Sequence, residues 1–306
     1  MKLKHVDLFA GTGAFSLALE KIPKSKTIFA NDNSKISKII YETNFNSPFS
    51  DVDFNELENI PNHHFLTAGF SCQPFSIAGK QKGFGDERSD VFWKLINVLE
   101  ERKPEIILLE NVKNLLTHNQ GKTFQKMRNE LENVGYHLYY QVLNTADITD
   151  IPHHRERLFI VGTREKIDFK FPVNNKTSFY RSIFENSVPD KYYYDDRYSC
   201  WEIIKETVIK KNIFYQYRRK YVRENKSGLC PCLVRQGGTG GHNVPLILDD
   251  NGIRKLTPRE CFNLQGFPSD YQFGDLNDAQ LYQLTGNAVS VPVVERIYEE
   301  IFKHYE

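Results

Sequence analysis

Five short apolar runs in the first 165 residues, KHVDLF, KTIFAND, FLTAGF, EIILLEN and RLFIVG, are separated by stretches with helical spacing. Strands of this length alternating with helices predict a mostly parallel sheet covered on both faces, because parallel neighbours need a helical crossover between them. Segments 88–102 and 121–134 are the clearest helices. The expected fold class is α/β, a doubly wound, mostly parallel sheet. Ligands of such sheets bind outside the carboxyl ends of the strands. The residues closing each apolar run are therefore the first candidates for function.

From about residue 166 the rhythm fails. The segment 176–228 is rich in Tyr, Lys, Arg and Asn, with KYYYDDRYS and YQYRRKYVREN as its most distinctive stretches, and predicts a second, smaller domain. GGTGGHN follows as a loop, and LTPRECFNLQGFP opens a short helix capped by Thr257. GNAVSVPVVERIYEEIFKHY predicts a C-terminal amphipathic helix preceded by a Gly-Asn turn. Asp7 and the glycines after it break the leading apolar run, against a signal peptide, and no run approaches the roughly 18 residues of a membrane span. Five cysteines, an odd number in a chain of 306 residues, fit a reduced, cytoplasmic setting. A net charge of +1 neither suggests nor excludes nucleic acid, so any such partner must be met by a local patch.

DLFAGTGAFS follows a strand and opens a helix, the context in which close-spaced glycines let backbone approach a nucleotide. Gly11 and Gly13 are present, but Ser16 stands where a dinucleotide fingerprint has its third glycine. That counts against NAD and fits a ligand without a pyrophosphate, such as S-adenosyl-L-methionine. Asp32 ends the next strand, where an acid grips ribose hydroxyls. A tight turn with no ligand is the competing reading.

GFSCQPFS places Cys72 at the carboxyl end of a strand, where a core thiol, a redox sensor, a metal ligand and a covalent catalyst are all open. Glu110 closes EIILLEN at the same edge. Arg155 and Arg157 in PHHRERLFIVG lead into a further strand, with the alternation that turns both to one face. A nucleophile, a proton donor and cations thus share one edge.

Read together, DLFAGTGAFS, GFSCQPFS, ENV, RER, LTPREC…LQGFP and GNAVSVPV resemble the ordered motifs of the DNA (cytosine-5) methyltransferases, bacterial restriction–modification type. The resemblance spans the chain except about 166–230. It implies a Rossmann-like methyltransferase fold, with 1–165 plus 251–306 as the S-adenosyl-L-methionine-binding catalytic domain and 166–250 as an inserted target-recognition domain. It also implies that Cys72 adds to C6 of a flipped-out cytosine, that Glu110 contacts N3 and the exocyclic amine, that Arg157 holds O2, and that Arg155 holds a backbone phosphate. Phe70 and Ser71 would line the base pocket. Phe9, Gly11 and Gly13 would surround the cofactor, with Asp32 on its ribose, Asp51 on the adenine amine and Asn287 reaching in from the C-terminal helix. The product would be S-adenosyl-L-homocysteine. Implied partners are double-stranded DNA and, genetically, a cognate restriction endonuclease, for a monomer without membrane attachment. Three positions depart from the family pattern: Ser71 replaces a proline, His153 a glutamine, and Asn33 an apolar cover for the adenine.

The histidine pairs 63–64 and 153–154 and Cys230-Pro-Cys232 lack structural zinc spacing, so no metal is expected. Residues 205–226 carry eight Lys/Arg against two Glu with interleaved aromatics. They read as DNA backbone contacts, with Arg218, Arg219 and Lys220 as candidates, or else as a helix with a solvated basic face. By resemblance to the family the GGTGGHN loop also approaches the duplex, which adds Arg235, Gly237 and Gly238. An RNA (tRNA) methyltransferase of the same fold is the alternative. GFSCQPFS lacks the proline pair of that branch.

Overall fold

The structure, a computed structural model, describes residues 3–70, 90–173, 183–237 and 242–305. In chain order its main elements are β1 (Leu3–Leu8), α1 (Ala14–Leu19), β2 (Ser25–Asn31), α2 (Lys35–Asn44), β3 (Phe49–Ser50), β4 (Phe65–Gly69), α3 (Asp90–Arg102), β5 (Ile106–Val112), α4 (Lys122–Asn133), β6 (His137–Asn144), α5 (Thr145–Ile148) and β7 (Glu156–Thr163). There follow α6 (Trp201–Thr207), β8 (Tyr215–Arg218), β9 (Val222–Glu224), β10 (His242–Leu248), β11 (Ile253–Lys255), α7 (Pro258–Leu264), α8 (Asp278–Asn287) and α9 (Val291–Phe302). No helix among the described residues is long and apolar enough to cross a membrane.

Contacts divide the chain into two compact units. The first comprises 1–143, 156–172 and 294–306 and holds a seven-stranded sheet in the order β3-β2-β1-β4-β5-β7-β6. Strands β3 to β5 pair in parallel, and β7 runs antiparallel to β5. The chain leaves β1 for β2 on one side and returns to β4 on the other, so the sheet's direction of winding switches between β1 and β4. That switch point is where an open α/β sheet forms its binding crevice. Val6, Leu8, Leu66, Ala68, Ile107 and Leu109 pack one core with α3 and α4 residues such as Leu95, Leu99, Met127 and Leu131. Tyr298 and Phe302 of α9 cover the opposite face, edge-on to Phe65.

The second unit comprises 144–155 and 173–293. Its four-stranded antiparallel sheet has the order β11-β10-β8-β9. The contact boundaries differ from those drawn on the sequence, since 144–155 and 251–293 belong with the inserted segment. The reason is a shared core in which Leu256, Cys261, Leu264 and Tyr282 pack with Tyr192, Phe214 and Cys230. A buried ion pair reinforces it: Arg254 donates to both carboxylate oxygens of Glu260 at 2.7 and 2.8 Å, and Glu260 closes the capping box of α7 with Thr257. The basic stretch around Arg218 forms the β8–β9 hairpin rather than a helix, with Tyr215 and Tyr217 buried beneath it. The C-terminal amphipathic helix is α9, and the Gly286–Asn287 pair ahead of it forms the end of α8 rather than a turn.

Candidate active site

The glycine loop lies on the β1 side of the switch point. Phe9, Gly11 and Gly13 have φ of 57°, 54° and 69°, so left-handed residues alternate through the loop. A Cβ on Gly13 would sit 2.4 Å from the Phe45 ring, so a side chain there would have to displace that ring and also adopt a left-handed φ of 69°. A Cβ on Gly11 would meet nothing nearer than its own loop's Phe9 carbonyl at 3.9 Å, leaving that side of the loop bare. Ala10 N–H donates to Asn31 O at 2.9 Å, and Gly11 N–H donates to Asp32 Oδ2 at 3.0 Å. Asp32 also accepts from Ser34 N–H. Its carboxyl is raised above the usual range by burial, against the lowering effect of these two bonds. Gly13 is the N-cap of α1 and offers no side chain. Asp7 on β1 supplies the missing acceptor, taking Ser16 N–H at 3.2 Å and Ser16 hydroxyl at 2.7 Å. Ser16 is therefore a polar anchor where a third glycine was sought.

The other two candidates on this side behave differently. Asp51 is exposed, and its hydrogen bond to Lys38 at 3.2 Å holds its carboxyl below the usual range. Asn33 donates to Asp53 at 2.8 Å. The Phe9 ring packs 4.9 Å from Phe54 and 6.5 Å from Phe70, linking the β1 and β4 sides of the crevice.

At the end of β4, Gly69 pairs with Glu110 of β5. Glu110 Oε2 lies 3.4 Å from where a Gly69 Cβ would be, so the missing side chain leaves room for the carboxylate. On β7, Phe159 stands opposite Glu110, and Arg157, two residues away, projects from the same face. Arg157 Nε meets Glu110 Oε1 at 3.0 Å, with the side chains 16% and 12% exposed. The next residue, Asn111, is buried and donates to Phe70 O at 2.9 Å. It pins the start of the chain that runs on to Cys72. Sequence reasoning passed over Asn111, although its place in ENV beside Glu110 was the available signal. Cys72, Ser71 and Gly238 lie outside the described residues, among which Cys200, Cys230, Cys232 and Cys261 form no disulfide.

In the second unit, Arg155, the candidate for a phosphate contact, is not open to solvent. Its side chain is 2% exposed, and it donates to Leu233 O at 3.3 Å and Gly286 O at 3.2 Å. Nor does it share a strand face with Arg157, because β7 begins only at Glu156. His153 is fully buried beside it: Nδ1 lies 3.1 Å from Leu264 O, and Nε2 accepts from Leu233 N–H at 3.2 Å. That pairing fixes the neutral Nδ1–H tautomer. The imidazole thus offers one donor and one acceptor, as a glutamine amide does. A Cβ on Gly286 would come within 2.2 Å of Arg235 backbone N, so only glycine permits this crossing of α8 and the 233–235 segment. Asn287, the last residue of α8, is exposed. Arg219, Lys220 and Arg235 are exposed, Arg218 is half-buried, and Gly237 is buried.

A doubly wound sheet with a bare glycine loop at its switch point and an acid–arginine pair on the neighbouring strands defines a Rossmann-like enzyme of the methyltransferase class. The family model for C-5 cytosine-specific DNA methylase matches residues 3–303, and the chain belongs to that family. It is 43% identical to Type II methyltransferase M.Bsp6I of Bacillus sp. (strain RFL6), over 98% of this chain and 99% of that one. Identity to Type II methyltransferase M.HaeII of Haemophilus aegyptius is 37%, over 96% and 91%. Among solved structures, S. pombe Dnmt2 methyltransferase superposes with a TM-score of 0.81 over 99% of both chains at 22% identity, a likeness of fold.

Proposed function

We propose that the protein methylates C5 of a cytosine within a specific sequence of double-stranded DNA and protects that DNA from a cognate restriction endonuclease. The observation that carries this reading is the Glu110 carboxylate held by Arg157 over Gly69, three residues before Cys72. Cytosine C5 is too weak a nucleophile to take a methyl group unaided. Addition of the Cys72 thiolate to C6 forms a C–S bond and moves the ring's π electrons toward C5. Glu110, at N3 and the exocyclic amine, counters the charge that builds as the thiolate adds. Arg157 holds O2 and keeps Glu110 in place. C5 then takes the methyl group, loses its proton to a base or water, and the restored double bond expels Cys72. These groups cannot reach a stacked base, so the cytosine is flipped out of the duplex. Phe70 and Ser71 line its pocket.

S-adenosyl-L-methionine, when bound, supplies an electrophilic methyl on sulfonium and leaves as S-adenosyl-L-homocysteine. The bare side of Gly11 fits its close approach. Phe9, Gly11, Gly13 and Asp32 would hold it, with Asp51 freed from Lys38 for the adenine and Asn287 completing the set. In this reading 1–165 plus 251–306 serve catalysis. The segment 166–250 serves recognition, with Arg218, Arg219, Lys220, Arg235, Gly237 and Gly238 toward the DNA. The enzyme acts as a monomer in the cytoplasm.

The test incubates the protein with labelled S-adenosyl-L-methionine and either mixed-sequence duplex DNA or bulk tRNA, with Cys72→Ala alongside. Labelled 5-methylcytosine from DNA, lost in the variant, is the expected result. Label confined to tRNA would replace the DNA reading.

A further inference from the structure

The sheet's polar interior holds a group that the mechanism above does not use. Asp7 is fully buried on β1, and its carboxylate is one link in a continuous chain of hydrogen bonds. Thr27 Oγ1 lies 2.9 Å from His5 Nδ1, and His5 Nε2 lies 2.8 Å from Thr67 Oγ1. Thr67 donates to Asp7 Oδ1 at 3.0 Å, and Ser16 donates to Asp7 Oδ2 at 2.7 Å. Ser16 Oγ lies 3.0 Å from Tyr41 OH, which lies 2.8 Å from Ser47 Oγ. Both ends of the chain, Thr27 and Ser47, and its middle, Ser16, line one cleft of about 320 Å³ bordered by Glu20 and Lys26. The chain is thus buried at its acid and open at its termini.

We propose that Asp7 is a positioning residue whose ionisation tightens the Phe9–Gly13 loop on the methyl donor, its proton being exchanged with the cleft through this chain. The proposal rests on the assignment of that loop to S-adenosyl-L-methionine made above. With Asp7 ionised, three donors converge on the carboxylate, two of them from Ser16 in the first turn of α1. Those bonds fix the turn that follows Gly13, where no local cap exists. When Asp7 takes a proton on Oδ1, it donates to Thr67. Thr67 then donates to His5 Nε2, and His5 Nδ1–H donates to Thr27. Every partner stays satisfied with no heavy atom displaced, but the Ser16 bonds weaken, because a neutral carboxyl is the poorer acceptor.

The groups facing Asp7 leave it the one that titrates near neutrality. Burial pushes its carboxyl up to about 7, against three hydrogen bonds and helped by the Asp32 charge at the end of β2. His5, on its own strand, is held neutral, burial lowering it to about 3. Burial raises the phenols of Tyr41 on α2 and Tyr298 on α9. Glu20, at the end of α1, acts on the chain through Tyr41. From β4 only the Thr67 hydroxyl is contributed.

The test is calorimetric titration of the full-length protein with S-adenosyl-L-homocysteine between pH 6 and 8.5, for the wild type, Asp7→Asn and Ser16→Ala. Wild-type affinity should rise about threefold across this range. Asp7→Asn, whose amide accepts from Ser16 and donates to Thr67 at every pH, should be flat. Ser16→Ala, which removes a bond favouring the ionised form, should move the midpoint to higher pH. In turnover, the pH dependence removed by Asp7→Asn should lie in the KM for S-adenosyl-L-methionine and not in kcat. A flat wild type, an Asp7→Asn profile with the wild-type slope, or an unmoved Ser16→Ala midpoint overturns the proposal. No binding by the wild type at any pH would remove the loop assignment beneath it.

Discussion

Arg157 Nε and Glu110 Oε1 meet at 3.0 Å across the one antiparallel pairing made by β5, each side chain less than a fifth exposed. The antiparallel turn-about of β7 brings an arginine from its amino-terminal end to the carboxyl end of the parallel strands. Glu110→Gln keeps the shape and a hydrogen bond to Arg157 but loses the charge. It should lower kcat by roughly 10²–10⁴-fold with folding stability little changed. Arg157→Lys loses the planar fork and should recover only a small part of wild-type activity, measured as methyl transfer to DNA.

Arg155, by contrast, is built into the second unit. Because its guanidinium is buried against carbonyls, Arg155→Met should leave unchanged the slope of log binding constant against log salt. Removing Arg219 or Lys220 should reduce that slope by about one charge contact each. Loss of the bonds to Leu233 and Gly286 should lower stability on the order of 3 kcal/mol, read from denaturant unfolding.

His153 can be exchanged for the residue it imitates. His153→Gln should stay within about 1 kcal/mol of wild type, whereas His153→Ala leaves Leu233 N–H and Leu264 O unpaired and should cost about 2–4 kcal/mol. Unfolding curves on both variants check this.

Asp7 makes stability depend on pH in a defined direction. Its folded value, about 7, lies above its ordinary 3.8, so the folded state holds a proton that the unfolded state has released. Stability is fully present below pH 4, falls as pH rises toward 7 and is level above it. The upper bound of this loss is about 4 kcal/mol. His5 and His63, lowered by burial to about 3 and about 4, act in the opposite direction below pH 6.5. The difference between wild type and Asp7→Asn therefore isolates the effect. Relative to the variant, the wild type should lose stability between pH 4 and 7.

Strands β1, β4, β5 and β7 were legible because they are mostly buried and read as apolar runs, with candidate residues at or near their ends, whereas the largely exposed β6 gave no such run. Thr257 likewise announces α7 through its capping box. The β8–β9 hairpin was not legible, because Tyr215 and Tyr217 are buried by partners on β10 far along the chain. Nor could alternation alone say that Arg155 and Arg157 part company. One is turned by carbonyls of residues 233 and 286, the other by Glu110. His153 departs from the motif in residue type, yet its two partners call for one donor and one acceptor, which a glutamine amide also offers.

The most direct test is covalent trapping on duplex DNA carrying 5-fluorocytosine in the target site, with S-adenosyl-L-methionine present. Fluorine at C5 cannot leave as a proton does, so the enzyme should remain joined to the DNA, and peptide mass spectrometry should place the link at Cys72. Trapping by Cys72→Ala, or an adduct on another residue, would contradict the account.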